Sequence, residues 1–300
     1  MQINLIISPS PQMIFHTNLF IQSFLINSEI KDFKINLDVG PQEVRGINKI
    51  KKICKEKLKI NQYYKSKYGF DPPYLGGCQR WESDLDTTEE TFLFIDVDTI
   101  VCGSLLCVEK QCQKEQKILG VPNIGSPFRF LEEESIKIWD KIGKIFNTKF
   151  RYIKHKGVEI SIPHGFNKKH FYIPDSYFNY GFVLVPKKYK DEIKLELPKI
   201  IKEIIKNFGS NFWNGEIALC VAINKLNIPF SHLDIKYNYP DREEFFEKKP
   251  ENDIRILHMV RKTLKKENDI IEIIKNNNKN KVEIFITKNI NFYKLNKSLI

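Results

Sequence analysis

One stretch, FLFIDVDTIV from Phe92 to Val101, constrains this chain more than any other. The apolar run Phe92, Leu93, Phe94 and Ile95 reads as a strand covered on both faces, the pattern of a parallel sheet inside an α/β domain. Asp96 and Asp98 then interrupt it. Strand residues two apart share a side, so both carboxylates are expected to converge at or just past the strand's end. Two desolvated like charges cost several kcal/mol or force protonation, whereas a hard divalent cation accepts oxygen ligands readily. An Asp-x-Asp at the carboxyl end of a central strand therefore marks a metal-and-phosphate site, the place where open α/β sheets bind ligands. Taken alone, the pair serves equally well to open a turn or cap a helix.

Three hundred residues, 42% of them hydrophobic and 12% aromatic, suffice for a large α/β domain with a buried core. No apolar run approaches the roughly 20 residues of a membrane span, and Gln2 to Ile7 enters a strand-like pattern without an export signal. A cytoplasmic protein is expected. Cys54, Cys78, Cys102, Cys107, Cys112 and Cys220 lack paired C-x-x-C spacing, which predicts reduced thiols. The net charge of +11 suits an acidic partner: a nucleic acid, an anionic lipid or a nucleotide diphosphate. The basic residues are scattered, and no helix-turn-helix, zinc-finger or RNP-like sequence directs them at a groove, so specific nucleic-acid binding is not expected.

Along the chain, Ile3–Ile7 predicts a first strand closed by Ser8, Pro9, Ser10 and Pro11, and Met13–Ile26 a helix. A strand over 33–39 and a helix over 43–58 complete a βαβα start. A helical segment over 79–85 leads into the Asp-x-Asp strand. Beyond it, a strand over 118–121 and a helix over 131–146 precede residues 147–175, which read as a long loop or short hairpin containing His155, His164 and His170. A buried strand over 182–185, helices over 191–207 and 215–226, and strands over 230–235 and 254–258 follow. Residues 263–300 form a Lys/Asn/Ile-rich appendage to a domain spanning 1–262. Its lysines, interleaved with Phe285, Phe292 and Tyr293, suit either a protected edge strand or peripheral contact with an anionic membrane.

Haloacid dehalogenase phosphatases also place Asp-x-Asp after a hydrophobic strand, but Ile100 stands where that family has threonine or valine. Four further pieces fit another family better. Tyr177, Phe178, Asn179, Tyr180 and Gly181 come before a strand, and Trp213 to Leu219 opens a helix with Glu216 in its first turn. Then follow Tyr237, Asn238, Tyr239 and Pro240, and finally Ile256, Leu257 and His258. With FIDVDTIV, this order resembles the A-type glycosyltransferases, especially the family 8 group of lipooligosaccharide galactosyltransferases and glycogenin.

The resemblance implies a single Rossmann-like nucleotide-diphospho-sugar transferase domain with a mixed central sheet. Asp96, Asp98 and His258 match the family's ligands for manganese or magnesium on the donor diphosphate, a set of carboxylates and one imidazole that suits manganese. Asn179 and Gly181 match a Phe-Asn-x-Gly turn at the donor sugar or acceptor. Glu216 matches the acidic member of an Asp-Gln pair facing the reacting carbon, with Ile217 in place of the glutamine. Asn214 is expected to cap that helix. Arg80 matches a basic residue near nucleotide and phosphate, Ser8 and Ser10 the loop at base and ribose, and Arg261 and Lys262 substitutes for a diphosphate lysine. Each has a plainer reading: a core histidine, a turn, a helix-start glutamate, surface charge. The implied activity is metal-dependent transfer of a hexose from a nucleotide sugar, UDP-linked by expectation, to a glycan, lipid-linked or protein acceptor, with retention. A catalytically silent sugar-nucleotide or glycan-binding protein of the same fold is the alternative, and a basic nucleic-acid-binding protein the more distant one.

Overall fold

The computed structural model describes residues 1–7, 11–39, 47–62, 81, 88–123, 127, 132–155, 171–209, 213–240 and 254–259. Its elements run β1 (Gln2–Ile7), α1 (Pro11–Asn27), β2 (Lys34–Val39), α2 (Ile47–Cys54), β3 (Leu58–Gln62), β4 (Thr91–Phe94), β5 (Thr99–Val101) and α3 (Leu106–Glu115). They continue with β6 (Ile118–Pro122), α4 (Glu132–Ile145), β7 (Tyr152–His155), β8 (Phe171–Pro174), β9 (Phe178–Pro186), α5 (Lys187–Phe208), α6 (Asn214–Lys225), β10 (Phe230–His232), β11 (Tyr239–Pro240) and β12 (Ile256–His258). The chain groups into two compact units, one drawn from Met1–Tyr64, Ile95–Lys110 and Asp234–Ile300, the other from Lys65–Phe94 and Gln111–Leu233.

In the first unit β1, β2 and β3 are parallel, with Leu5 opposite Leu37 and Leu37 opposite Ile60. The alternate residues Ile3, Leu5, Ile35 and Leu37 are fully or almost fully buried. Helix α1 supplies Phe20, Ile21 and Phe24 to the core, and Phe24 meets Phe33 edge-on at 5.1 Å. Its buried hydroxyls turn back on the helix, Thr17 to the Met13 carbonyl and Ser23 to that of Phe20, which satisfies them without water. The same helix fixes β5. Asn27 Nδ2 donates to the Val101 carbonyl at 2.7 Å, and the Val101 N–H donates to Ser23 Oγ at 3.0 Å. A small sheet then forms in the order β11-β12-β5, parallel between β11 and β12 and antiparallel between β12 and β5.

The expected helix over 43–58 is shorter: α2 stops at Cys54, and a 3₁₀ turn at Lys55–Lys57 leads into β3. Lys55 takes a left-handed φ of 49°, which breaks the helix and lets Leu58 and Ile60 alternate with Lys59 and Asn61 as a strand. Residues 43–46 lie outside the described residues.

The second unit carries a mixed sheet in the order β10-β6-β9-β4, with β9 antiparallel to both β4 and β6, and β10 parallel to β6. The continuous apolar run of β4 therefore records burial on both faces; toward β9 its direction is antiparallel. Strand β9 starts earlier than the expected 182–185 and takes in Phe178 to Gly181. A Cβ on Gly120 would stand 2.6 Å from Phe178 Cγ, so this glycine makes room for the aromatic ring. Helices α5 and α6 bury Ile193, Leu197, Ile200, Ile201 and Ile204 with Ile217 to Ile223. Residues 147–175 include a hairpin, β7 antiparallel to β8, with Ile153 opposite Ile173. Cys54, Cys102, Cys107, Cys112 and Cys220 are free thiols.

Candidate functional site

The two aspartates converge by a turn and not by strand alternation. β4 ends at Phe94, β5 begins at Thr99, and Thr99 Oγ1 donates to the Asp96 carbonyl at 2.7 Å, closing the turn between them. Val97 points into the core at 2% exposure, while Asp96 and Asp98 stay partly exposed. Antiparallel pairing sets His258 opposite Thr99, and the Met259 N–H donates to the Asp98 carbonyl at 2.8 Å. His258 Nε2 consequently stands 3.4 Å from Asp98 Oδ1 and 3.8 Å from Asp96 Oδ2.

These three residues suit one cation. Their ligand atoms all lie within 4.8 Å of one another. Two carboxylates and one imidazole are a donor set that would hold a divalent ion such as manganese or magnesium. Behind the imidazole, Nδ1 lies 2.9 Å from Oδ1 of the buried Asn238. An Asn carbonyl only accepts, which places a proton on Nδ1 and turns Nε2 toward the carboxylates, where it donates to Asp98 when protonated and would be the ligand atom when not. Burial pushes the Asp98 carboxyl up. The hydrogen bond and charge of His258, with a further contribution from His16 on α1, outweigh this and hold it below its ordinary value. Sequence reasoning placed Asn238 in a noted segment but gave it no role. It missed His16, which in the sequence is only a histidine within an apolar helix.

A second carboxylate is built into the other unit. Glu216 is buried; its Oε2 accepts from Asn123 Nδ2 at 2.8 Å and from the Tyr177 hydroxyl at 3.0 Å. Its Oε1 accepts from the Tyr180 N–H at 3.2 Å and from Asn179 Nδ2 at 3.4 Å. The Tyr177 hydroxyl is pushed well above its ordinary range by burial and by the Glu216 charge. Asn179 and Gly181 thus belong to strand β9 and not to a turn, with the Gly181 N–H donating to Asn179 Oδ1 at 2.8 Å. Asn214 does not cap α6. Trp213 occupies that position without a side-chain bond, and Asn214 Nδ2 donates to the Gly209 carbonyl instead. Ser8, Ser10, Arg80, Arg261, Lys262, His164, His170, the His155 side chain and residues 263–300 lie outside the described residues.

No protein-family model and no curated protein matches the sequence. Solved structures do. The bifunctional glycosyltransferase WbbM in its apo form shares 15% identity over 96% of this chain and 51% of its own, with a TM-score of 0.56. The galactosyltransferase LgtC in complex with donor and acceptor sugar analogues shares 9% identity over 92% of this chain and 95% of its own, with a TM-score of 0.53. The glycosyltransferase GlyE of Streptococcus pneumoniae TIGR4 shares 12% identity over 96% of this chain and 62% of its own, again at 0.53. The chain has the A-type glycosyltransferase fold. It spans about half the length of the WbbM chain. At such identities the likeness is one of fold, and the chemistry rests on the side chains above.

Proposed function

We propose that this protein is a metal-dependent glycosyltransferase moving a hexose from a nucleotide sugar, UDP-linked, to an acceptor hydroxyl, with retention. The observation that carries the reading is the convergence of Asp96, Asp98 and His258 in a chain with this fold. Those three residues would hold manganese or magnesium, which supplies Lewis-acid charge to a departing diphosphate. Asn238 keeps the His258 ring oriented and its Nε2 available. Glu216, its charge stabilised by donors on both oxygens, would favour positive charge developing at the sugar carbon or orient the acceptor. Asn179 would contact the donor sugar or acceptor, and Gly181 would let the donor approach the backbone. Ser8 and Ser10 are assigned to base and ribose, Arg80, Arg261 and Lys262 to the diphosphate. The acceptor is a glycan, a lipid-linked sugar or a protein. The tail at 263–300 is proposed to hold the enzyme at an anionic membrane; among the described residues no helix is long and apolar enough to cross one.

One observation favours a second reading, a silent sugar-nucleotide or glycan binder: Ile217, fully buried, replaces the family's glutamine. A thermal-shift panel of nucleotide diphosphates and nucleotide sugars, with and without Mn²⁺, tests both, because specific binding raises apparent stability. Mn²⁺-dependent stabilisation by UDP together with UDP release from a UDP-hexose supports transfer. Stabilisation without release supports the silent binder. No stabilisation by any nucleotide refutes both.

A further inference from the structure

Tyr180 touches the start of α6 at two levels. Its backbone N–H donates to Glu216 Oε1 at 3.2 Å, and its phenol donates to the carbonyl of Gly215, the residue just before, also at 3.2 Å. The phenol oxygen in turn accepts from Trp81 Nε1 at 3.3 Å. Indole donates only, so the order Trp81 to Tyr180 to Gly215 has one direction. The anchor behind it is rigid: Trp81 is 1% exposed and stacks on Phe94 with ring centroids 4.1 Å apart and planes 18° apart. Tyr180 itself is buried.

We propose that Tyr180 is a positioning residue for Glu216, with its phenol clasped between Trp81 and the Gly215 carbonyl so that main chain and carboxylate of the helix's first turn are held together. This rests on the reading of Glu216 as the group that acts on the sugar. Two contacts to one turn restrict both the helix backbone and the carboxylate's approach, whereas the carboxylate bonds alone leave the backbone free to shift. Small displacements of a positioned group lower turnover steeply while leaving ground-state binding nearly intact. The same clasp ties the residue following Arg80 to strand β9.

Tyr180→Phe keeps the ring and deletes the hydroxyl. A core variant, Ile193→Val on α5, serves as a control of similar mild destabilisation. UDP release from UDP-glucose and UDP-galactose with Mn²⁺ is measured for all three proteins, together with amide hydrogen exchange at position 180. In Y180F, kcat is expected to fall by about tenfold with donor KM within about twofold, and the position-180 amide to exchange about tenfold faster. I193V is expected to keep kcat. Unchanged kcat in Y180F, or an equal loss in I193V, makes the hydroxyl merely structural and overturns the proposal. If the unsubstituted protein releases no UDP, the glycosyl-transfer reading fails, and exchange alone judges the clasp: an amide no faster in Y180F than in I193V refutes it.

Discussion

Replacing Asn238 by alanine tests the proposed metal centre without touching any of its three proposed ligands. The Asn238 carbonyl accepts from His258 Nδ1 at 2.9 Å in a buried setting, so alanine leaves an N–H without this acceptor and frees the ring to rotate. Groups that orient a ligating histidine this way are worth about 10- to 100-fold in metal affinity, or roughly 1.4–2.7 kcal/mol. That range agrees with the roughly 1–3 kcal/mol expected when one partner of a buried hydrogen bond is removed. Mn²⁺ affinity is read by calorimetric titration of wild type and Asn238→Ala, and the metal-free melting temperature is read alongside. If His258 is a ligand, the loss is seen mainly in Mn²⁺ affinity, while Asp96 and Asp98 retain weak binding. An affinity within about twofold of wild type, with the loss confined to metal-free stability, would refute the assignment and return His258 to a core role.

Asp98→Asn is expected to abolish the stabilisation by Mn²⁺, seen as a melting temperature that no longer rises with the ion. The folded Asp98 carboxyl lies below its ordinary value of 3.8, so its stabilising contribution is complete above that value and is lost as pH falls through the lower folded one. Metal-free melts between about pH 6 and 2.5 should show a shallower acid limb in Asp98→Asn, and parallel curves would contradict this linkage. Gly120→Ala forces its Cβ to 2.6 Å from Phe178 Cγ, an overpacking that costs about 1–3 kcal/mol by denaturant titration unless the buried ring can shift. Glu216→Gln sets an amide NH₂ against donors from Asn123, Tyr177 or Tyr180. We expect turnover to fall far more than donor KM rises, and normal turnover would leave Glu216 a structural residue.

The Asp-x-Asp strand was legible as a buried apolar run ending in two carboxylates, but that pair alone serves a turn or a helix cap equally well. Both its reading as a site and the distant His258 became legible only through the order of motifs around them. Local patterns failed where long-range partners decide the outcome. The expected helix ran on to Leu58, whereas Leu58 is the first residue of β3, which pairs with β2. Helix α3 offers only a sparse apolar stripe of Val108 and Cys112, too thin to stand out in the sequence. Phe178 to Gly181 read as a turn because Asn and Gly favour turns. The pairing of Phe178 with Pro122 and the grip of Glu216 on Tyr180 draw this segment into β9 instead. The roles of Asn238 and His16 depend on which side chains meet in space, which no sequence spacing encodes.

The strands of the small sheet beside Asp96, Asp98 and His258 are only two or three residues long, and β5 lies far from β11 and β12 along the chain. So small a sheet gains little from its own hydrogen bonds. A cation gripped by Asp96, Asp98 and His258 would act as a reversible cross-link across the long stretch of chain between them, removing conformations from every partly opened state. Withdrawing the ion with a chelator would then expose the segment around Ile256 to protease well before the parallel core of β1, β2 and β3 gives way, making the metal a clasp on the architecture as well as a partner in the chemistry.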